Sequence, residues 1–160
     1  GAVPSDVSNV MLVEDSGAGY GGTGYGGTGY GGAGYGGAEC CGRVIRWRGY
    51  DRFNAEGFIA SYSFRLADTP LRRRMIETGQ PVVVPDVRAD PRWTRVRKEM
   101  EWLRSYAGAP IRFRGRTLGF LNVGSATPGS FGPAHGERLR ALADQAAVAL
   151  ERWNVGTLER

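Results

Sequence analysis

The sequence predicts an α+β fold: a central antiparallel sheet of five or six strands with helices on its faces, in a single domain over residues 1–160. Three observations predict it. Short apolar segments follow one another as hairpins, with no strand-helix-strand series that would force a parallel sheet. Helix start and stop signals stand at Thr69-Pro70 and Gly79, and a long helix opens at Pro133. The chain has 160 residues; less a glycine-tyrosine run, about 135 remain, enough for one core without staples.

In chain order, Ser5 leads into a first strand through Val10-Met11-Leu12-Val13. Residues 17–36 then read Gly-x-Gly-Tyr-Gly four times, with Tyr20, Tyr25, Tyr30 and Tyr35 five apart. A second strand spans Arg43 to Arg48, with Arg46 and Arg48 on the face opposite Trp47. The repeat thus fills the turn of a first hairpin, as a low-complexity insertion over residues 16–42. Glycine at this density loses too much backbone entropy to be ordered by its own contacts, so a flexible loop is expected. A self-associating or RNA-contacting tyrosine-glycine segment is the alternative. Residues 17–36 carry no arginine or lysine to attract phosphate. An engineered insert is a further possibility.

Tyr50 to Ile59 reads as loop with a short helix. Ser61 to Leu66 alternates Tyr62, Phe64 and Leu66 against Ser61, Ser63 and Arg65, a third strand. Thr69, a capping hydroxyl, precedes Pro70 at the first turn of a helix over Leu71 to Thr78. Val82-Val83-Val84 is a short apolar strand between prolines. Asp90-Pro91 predicts a second helix running to about Leu103. Ser105 to Phe113 and Thr117 to Gly124 form a hairpin about Arg114-Gly115-Arg116. The final helix runs from Pro133 to about Trp153, with Leu139, Leu142, Ala143, Ala146, Ala149, Leu150 and Trp153 along one face.

The net charge of +5 is carried by arginine, Lys98 being the only lysine. The arginines are dispersed among acids, which suits a solvated surface better than a nucleic-acid stripe. No window approaches the roughly 18 apolar residues of a membrane span. There is no secretory signal, and Gly1-Ala2 without a Met reads as the start of a fragment of a longer protein. The two cysteines, Cys40 and Cys41, are adjacent; a bridge between neighbours closes a strained ring, so a reducing, cytoplasmic setting is expected. Two sulfurs and His135 do not complete a metal site, and no cofactor is expected. His135 has no obvious partner for activating a serine, and the glycine run lacks the lysine of a phosphate loop. The chain reads as non-enzymatic.

From Leu66 to Arg152 the sequence resembles a GAF domain, a small-molecule-sensing regulatory module of signalling proteins. The resemblance rests on an ordered set: Thr69-Pro70-Leu71, Glu77-Thr78-Gly79-Gln80-Pro81-Val82-Val83-Val84-Pro85-Asp86, Asp90-Pro91-Arg92-Trp93 and Arg104-Ser105-Tyr106-Ala107-Gly108-Ala109-Pro110. Gly115 to Val123 and Phe131-Gly132-Pro133-Ala134-His135 continue it. It implies a GAF/PAS-like sheet, with a ligand cavity between one face and the region after the fourth strand. Trp93, Met100, Trp102, Leu103 and Tyr106 would line it, with Asp86, Arg104 and Ser105 as polar contacts. The terminal helix, through Leu139, Leu142, Ala146, Leu150 and Trp153, would pair with a second copy and relay to an output domain, a kinase or cyclic-dinucleotide enzyme in the parent protein.

The family usually places a helix ahead of its first strand, which the few residues before Val10 do not supply. The terminal helix would then lack a packing partner, leaving the fragment less stable or prone to associate. Cyclic-nucleotide binding is disfavoured because the accompanying Asn-Lys-Phe-Asp-Glu-type signature is missing. Bilin attachment is disfavoured because the usual Cys-His pair is absent. Free methionine sulfoxide reduction uses separated cysteines around the cavity, unlike Cys40-Cys41, and His135 reads as an exposed helix residue rather than a haem ligand. The alternatives to sensing are a ligand-free structural dimerisation module and a nucleic-acid or self-association module acting through the repeat.

Overall fold

Period-two alternation builds the first strand, β1 (Val7–Asp15): Val7, Asn9, Met11 and Val13 are buried, while Ser8, Val10, Leu12 and Glu14 are half-buried on the other face. The computed structural model describes residues 4–15, 40–93 and 97–158, with backbone only at 15, 40 and 153–158. The further strands are β2 (Cys40–Arg48), β3 (Ser63–Arg65), β4 (Val82–Val84), β5 (Ser105–Phe113) and β6 (Arg116–Ser125). They form one six-stranded sheet in the order β3-β2-β1-β6-β5-β4, every neighbouring pair antiparallel. The helices are α1 (Glu56–Ala60), α2 (Pro70–Thr78) and α3 (Pro133–Leu158). The expected α+β architecture is present.

The sheet separates two packed layers. On one face α3 lays Leu139, Ala143 and Ala147 against Ala107, Ala109 and Ile111 of β5 and Val123 of β6, all at most 5% exposed. Alanine facing alanine lets helix and sheet approach closely. Leu142, Ala146 and Leu150 are half-buried at the margin of this layer, and the Trp153 side chain lies outside the described residues. On the other face, Met11, Val44 and Phe120 of the sheet pack with Ile59 of α1, Leu71 and Met75 of α2, and Leu103. We call this the inner face.

Turn chemistry is where the expectations hold best. Arg114 and Gly115 take φ of 53° and 82°, the left-handed pair of a two-residue hairpin turn. Gly79 ends α2 at φ 70°, its amide donating to Met75 O at 2.8 Å.

Three expectations are corrected. The helix expected from Asp90 to Leu103 is not formed: Asp90 Oδ1 accepts from the Arg92 amide at 2.8 Å, and its carboxylate pairs with the Arg92 guanidinium at 2.7 Å. This Asx turn competes with helix propagation, and among the described residues beyond it Lys98–Met100 makes a single 3-10 turn. The Thr69 hydroxyl does not cap α2; it donates back to Leu66 O at 3.2 Å, closing the 3-10 turn before the helix. The third strand is shorter than Ser61 to Leu66, because Ser61 and Tyr62 terminate α1 and Leu66 begins that 3-10 turn.

Gly42 pairs with Val13 and Cys40 with Asp15, so β2 takes up residues that were expected in the insertion over 16–42. Residues 16–39 lie outside the described residues. The residues that flank them, Asp15 and Cys40, are paired, which makes a test direct. Replacing residues 16–39 by Asn-Gly is expected to leave a cooperatively folding domain. It should gain about 2 kcal/mol, since loop closure costs about 0.6 kcal/mol per doubling of length. Thermal unfolding followed by circular dichroism checks this; loss of the cooperative transition would place part of the core in the repeat.

Candidate functional site

Between the inner face and the elements over it lies a cavity of about 120 Å³. The sheet contributes Val7, Asn9 and Met11 of β1, Tyr106 of β5, and Asn122, Val123 and Gly124 of β6. Tyr50, Phe58, Ile59, Tyr62 and Arg72 close it from one side, Trp93, Arg97, Met100 and Leu103 from the other. The walls are thus mainly apolar and aromatic, with a small polar set, the usual composition of a small-molecule site.

Strand register assembles the polar set. Asn9 stands opposite Asn122 in the β1–β6 pairing, and Asn122 opposite Gly108 in the β5–β6 pairing. All three therefore share the inner face. A Cβ at Gly108 would run into the Tyr106 hydroxyl; its absence lets the Tyr106 side chain fold back and donate to Asn122 Oδ1 at 2.5 Å. Asn122 Nδ2 donates to Asn9 Oδ1 at 2.9 Å, and Asn9 Nδ2 to Tyr50 Oη at 2.8 Å. Both asparagines are buried, at 6% and 3% exposure. The series satisfies polar groups whose desolvation would otherwise be unfavourable.

Burial pushes the Tyr50 phenol up to about 12, opposed by the Asn9 hydrogen bond and the Arg72 charge. Burial likewise pushes Tyr106 up to about 12. Both remain protonated through the neutral range. An unfolded tyrosine ionises at about 10, so above that pH the unfolded chain gives up protons that the native chain retains. Stability that is fully present below about pH 10 is therefore lost as pH rises through about 12. Urea midpoints measured from about pH 9 to 11 should fall, and Tyr50→Phe should flatten that slope; an unchanged slope would mean that Tyr50 is solvated.

Arg72 enters from the first turn of α2. Its guanidinium lies 4.4 Å from the Phe64 ring centroid and 5.8 Å from that of Tyr62, and Nη1 meets the Tyr62 hydroxyl at 3.3 Å. Its Nε is buried without an acceptor. Among the described residues no carboxylate pairs with it.

Of the eight residues expected to contact a ligand, Trp93, Met100, Leu103 and Tyr106 line this cavity. Trp93 and Tyr106 sit with ring centroids 5.2 Å apart. The other four lie elsewhere. Trp102 stacks on Phe53 at 3.9 Å and donates to Glu99 O. Asp86 accepts from Arg104 at 3.2 Å and from the Arg88 amide at 3.0 Å, and the Arg104 hydrogen bond foremost holds its carboxyl below the usual range. Ser105, fully buried, donates to Thr127 O at 2.8 Å. These last three anchor the ends of the 86–104 segment, where Val87 N meets Arg104 O and Arg104 N meets Ser125 O.

Asn9, Tyr50, Arg72 and Asn122 were not anticipated. Asn9 carried a signal, being a polar residue in the buried register of an alternating strand. His135 accepts from the Gly132 amide through Nδ1 at 3.0 Å, a local contact at the start of α3. Among the described residues no three His, Cys, Asp or Glu side chains gather as a metal set. No described helix is long and apolar enough to cross a membrane.

A family model described as GAF domain matches residues 11–151. No curated protein matches the chain. Among solved structures, the chain is similar to the GAF domain/HD domain protein from Geobacter sulfurreducens, with TM-score 0.69 and 15% identity over 95% of this chain and 84% of that one. It is similar to a domain of a two-component sensor histidine kinase protein from Sinorhizobium meliloti 1021, with TM-score 0.60 and 14% identity over 98% and 86%. It is also similar to type II free methionine-R-sulfoxide reductase from Thermoplasma acidophilum, with TM-score 0.59 and 15% identity over 89% and 77%. At these identities the likeness is one of fold.

Proposed function

The chain belongs to the GAF domain family, and on that premise we propose that it is a sensory domain whose inner-face cavity binds a small molecule. One observation carries the proposal: an apolar cavity of about 120 Å³ holds a short polar set at its sheet wall, with the Arg72 charge unpaired. Binding orders the segment from Asp86 to Tyr106, five of whose described side chains line the cavity. The same strands, β5 and β6, support α3 on their other face. A shift of the inner face therefore reaches α3, which relays it to an output domain as a change in conformer population. A kinase or cyclic-dinucleotide enzyme in a cytoplasmic signalling protein is the kind of output meant.

The reading is non-catalytic. Among the described residues that line the cavity none is cysteine, although a reductase shares the fold. A ligand-free dimerisation module is the second reading, favoured by half-buried Leu142, Ala146 and Leu150 beside Val148, which is 45% exposed on α3. Native mass spectrometry of the purified chain separates the two. A co-purifying small molecule is the expected result; a dimer that carries nothing would leave the dimerisation module standing.

A further inference from the structure

We propose that the cavity takes a small flat carboxylic acid, a single ring bearing one carboxylate, received by the Arg72 guanidinium and the Tyr50 hydroxyl. The inference rests on reading the cavity as a ligand site and adds the ligand's charge, size and orientation.

Direction in the hydrogen-bond series is the first ground. Tyr106 donates to Asn122, Asn122 to Asn9, and Asn9 to Tyr50. Tyr50 is the last member: its oxygen accepts, and its own proton has no acceptor among the described residues. Arg72 is in the same position, with Nη1 on Tyr62 and Nε buried without an acceptor. Two donors at one cavity wall thus lack acceptors. No carboxylate lines the cavity among the described residues. The missing group is an acceptor, and beside an uncompensated guanidinium it is an anion.

Geometry narrows the anion. Arg72 Cζ lies 4.4 Å from the Phe64 ring centroid, and the fork of a planar guanidinium matches a planar, two-oxygen acceptor. Arg97, the other cation among the described lining residues, is exposed and screened by water. One half-buried positive charge matches a single negative charge, hence a carboxylate rather than a phosphate dianion. Size narrows the remainder. A dry protein cavity of about 150 Å³ takes benzene, so a cavity of about 120 Å³ sets an upper limit of one ring. Met11, Met100, Leu103 and Trp93 supply the apolar walls for one ring.

Isothermal titration of the full 160-residue chain with sodium benzoate and with benzamide tests this, the amide having the same shape without the charge. Benzoate is expected to bind at least about tenfold more tightly than benzamide. Arg72→Met should remove that preference, and Tyr50→Phe should weaken benzoate several-fold, with circular dichroism showing both variants folded. Benzamide binding as tightly as benzoate, or a preference that survives Arg72→Met, would overturn the acid assignment while leaving the cavity a ligand site. Binding of neither probe also overturns it. In that case native mass spectra decide the wider reading: a chain carrying an uncharged molecule still senses, and a chain carrying nothing does not.

Discussion

Replacing Phe120 by alanine is expected to destabilise the domain by about 3–5 kcal/mol, the upper range for a core aromatic. Phe120 is the largest fully buried side chain, at 0% exposure, in the central strand β6. Its neighbours across the sheet are Met11 of β1 and Pro110 of β5, and its ring lies 6.3 Å from that of Phe64. Hydrogen-bonded strands on both sides hold the backbone in place, so the void left by the ring cannot close by strand movement. Phe64 cannot simply swing in either, because its ring already covers Gly42, where a Cβ would stand 2.5 Å from it. Domains of this size hold about 5–15 kcal/mol in total, so the variant sits near the edge of folding. Urea titration should show a lower midpoint with an unchanged m-value. A loss under about 1 kcal/mol would mean that the site collapses and that the packing is looser than described.

Apolar runs, alternation and turn punctuation make most of this architecture legible in the sequence. The apolar run Val10-Met11-Leu12-Val13 of β1, the proline-bracketed Val82-Val83-Val84 and the Arg114-Gly115 turn each encode their conformation within a few residues. The final helix was equally plain, although its apolar face was read with Ala149, which is exposed, where Ala147 is buried beside Leu139 and Ala143. Asp90-Pro91 was ambiguous for a physical reason. An aspartate before proline serves both a helix N-terminus and an Asx turn, and the Arg92 side chain decides for the turn by pairing with Asp90. Cavity residues divide in the same way. Trp93, Met100, Leu103 and Tyr106 come from one continuous segment and were found there. Asn9 and Asn122 are 113 residues apart and meet only through the β1–β6 register, which no local pattern states. Arg72 is one of three consecutive arginines in the sequence, and only its half-burial beside buried Leu71 sets it apart from Arg73 and Arg74.

Asn122→Leu carries the second large effect, about 2–5 kcal/mol, although the substitution adds apolar surface to a buried site. Asn122 is the one member of the series that both accepts from Tyr106 and donates to Asn9. Leucine strands a phenolic proton and an amide oxygen, each at about 1–3 kcal/mol when buried without a partner. Tyr106→Phe alone removes a donor and leaves only Asn122 Oδ1 short, one acceptor rather than two groups, so about 1 kcal/mol is expected. In the double variant the Tyr106 hydroxyl no longer exists to be orphaned. Its loss should therefore fall below the sum of the single losses by about 1 kcal/mol or more, the coupling typical of directly bonded partners. The cycle reads the bond itself, because general damage to the sheet would add rather than couple. Additive losses would show that Tyr106 and Asn122 are not bonded in solution. The directional series ending at Tyr50 would then lose its first link.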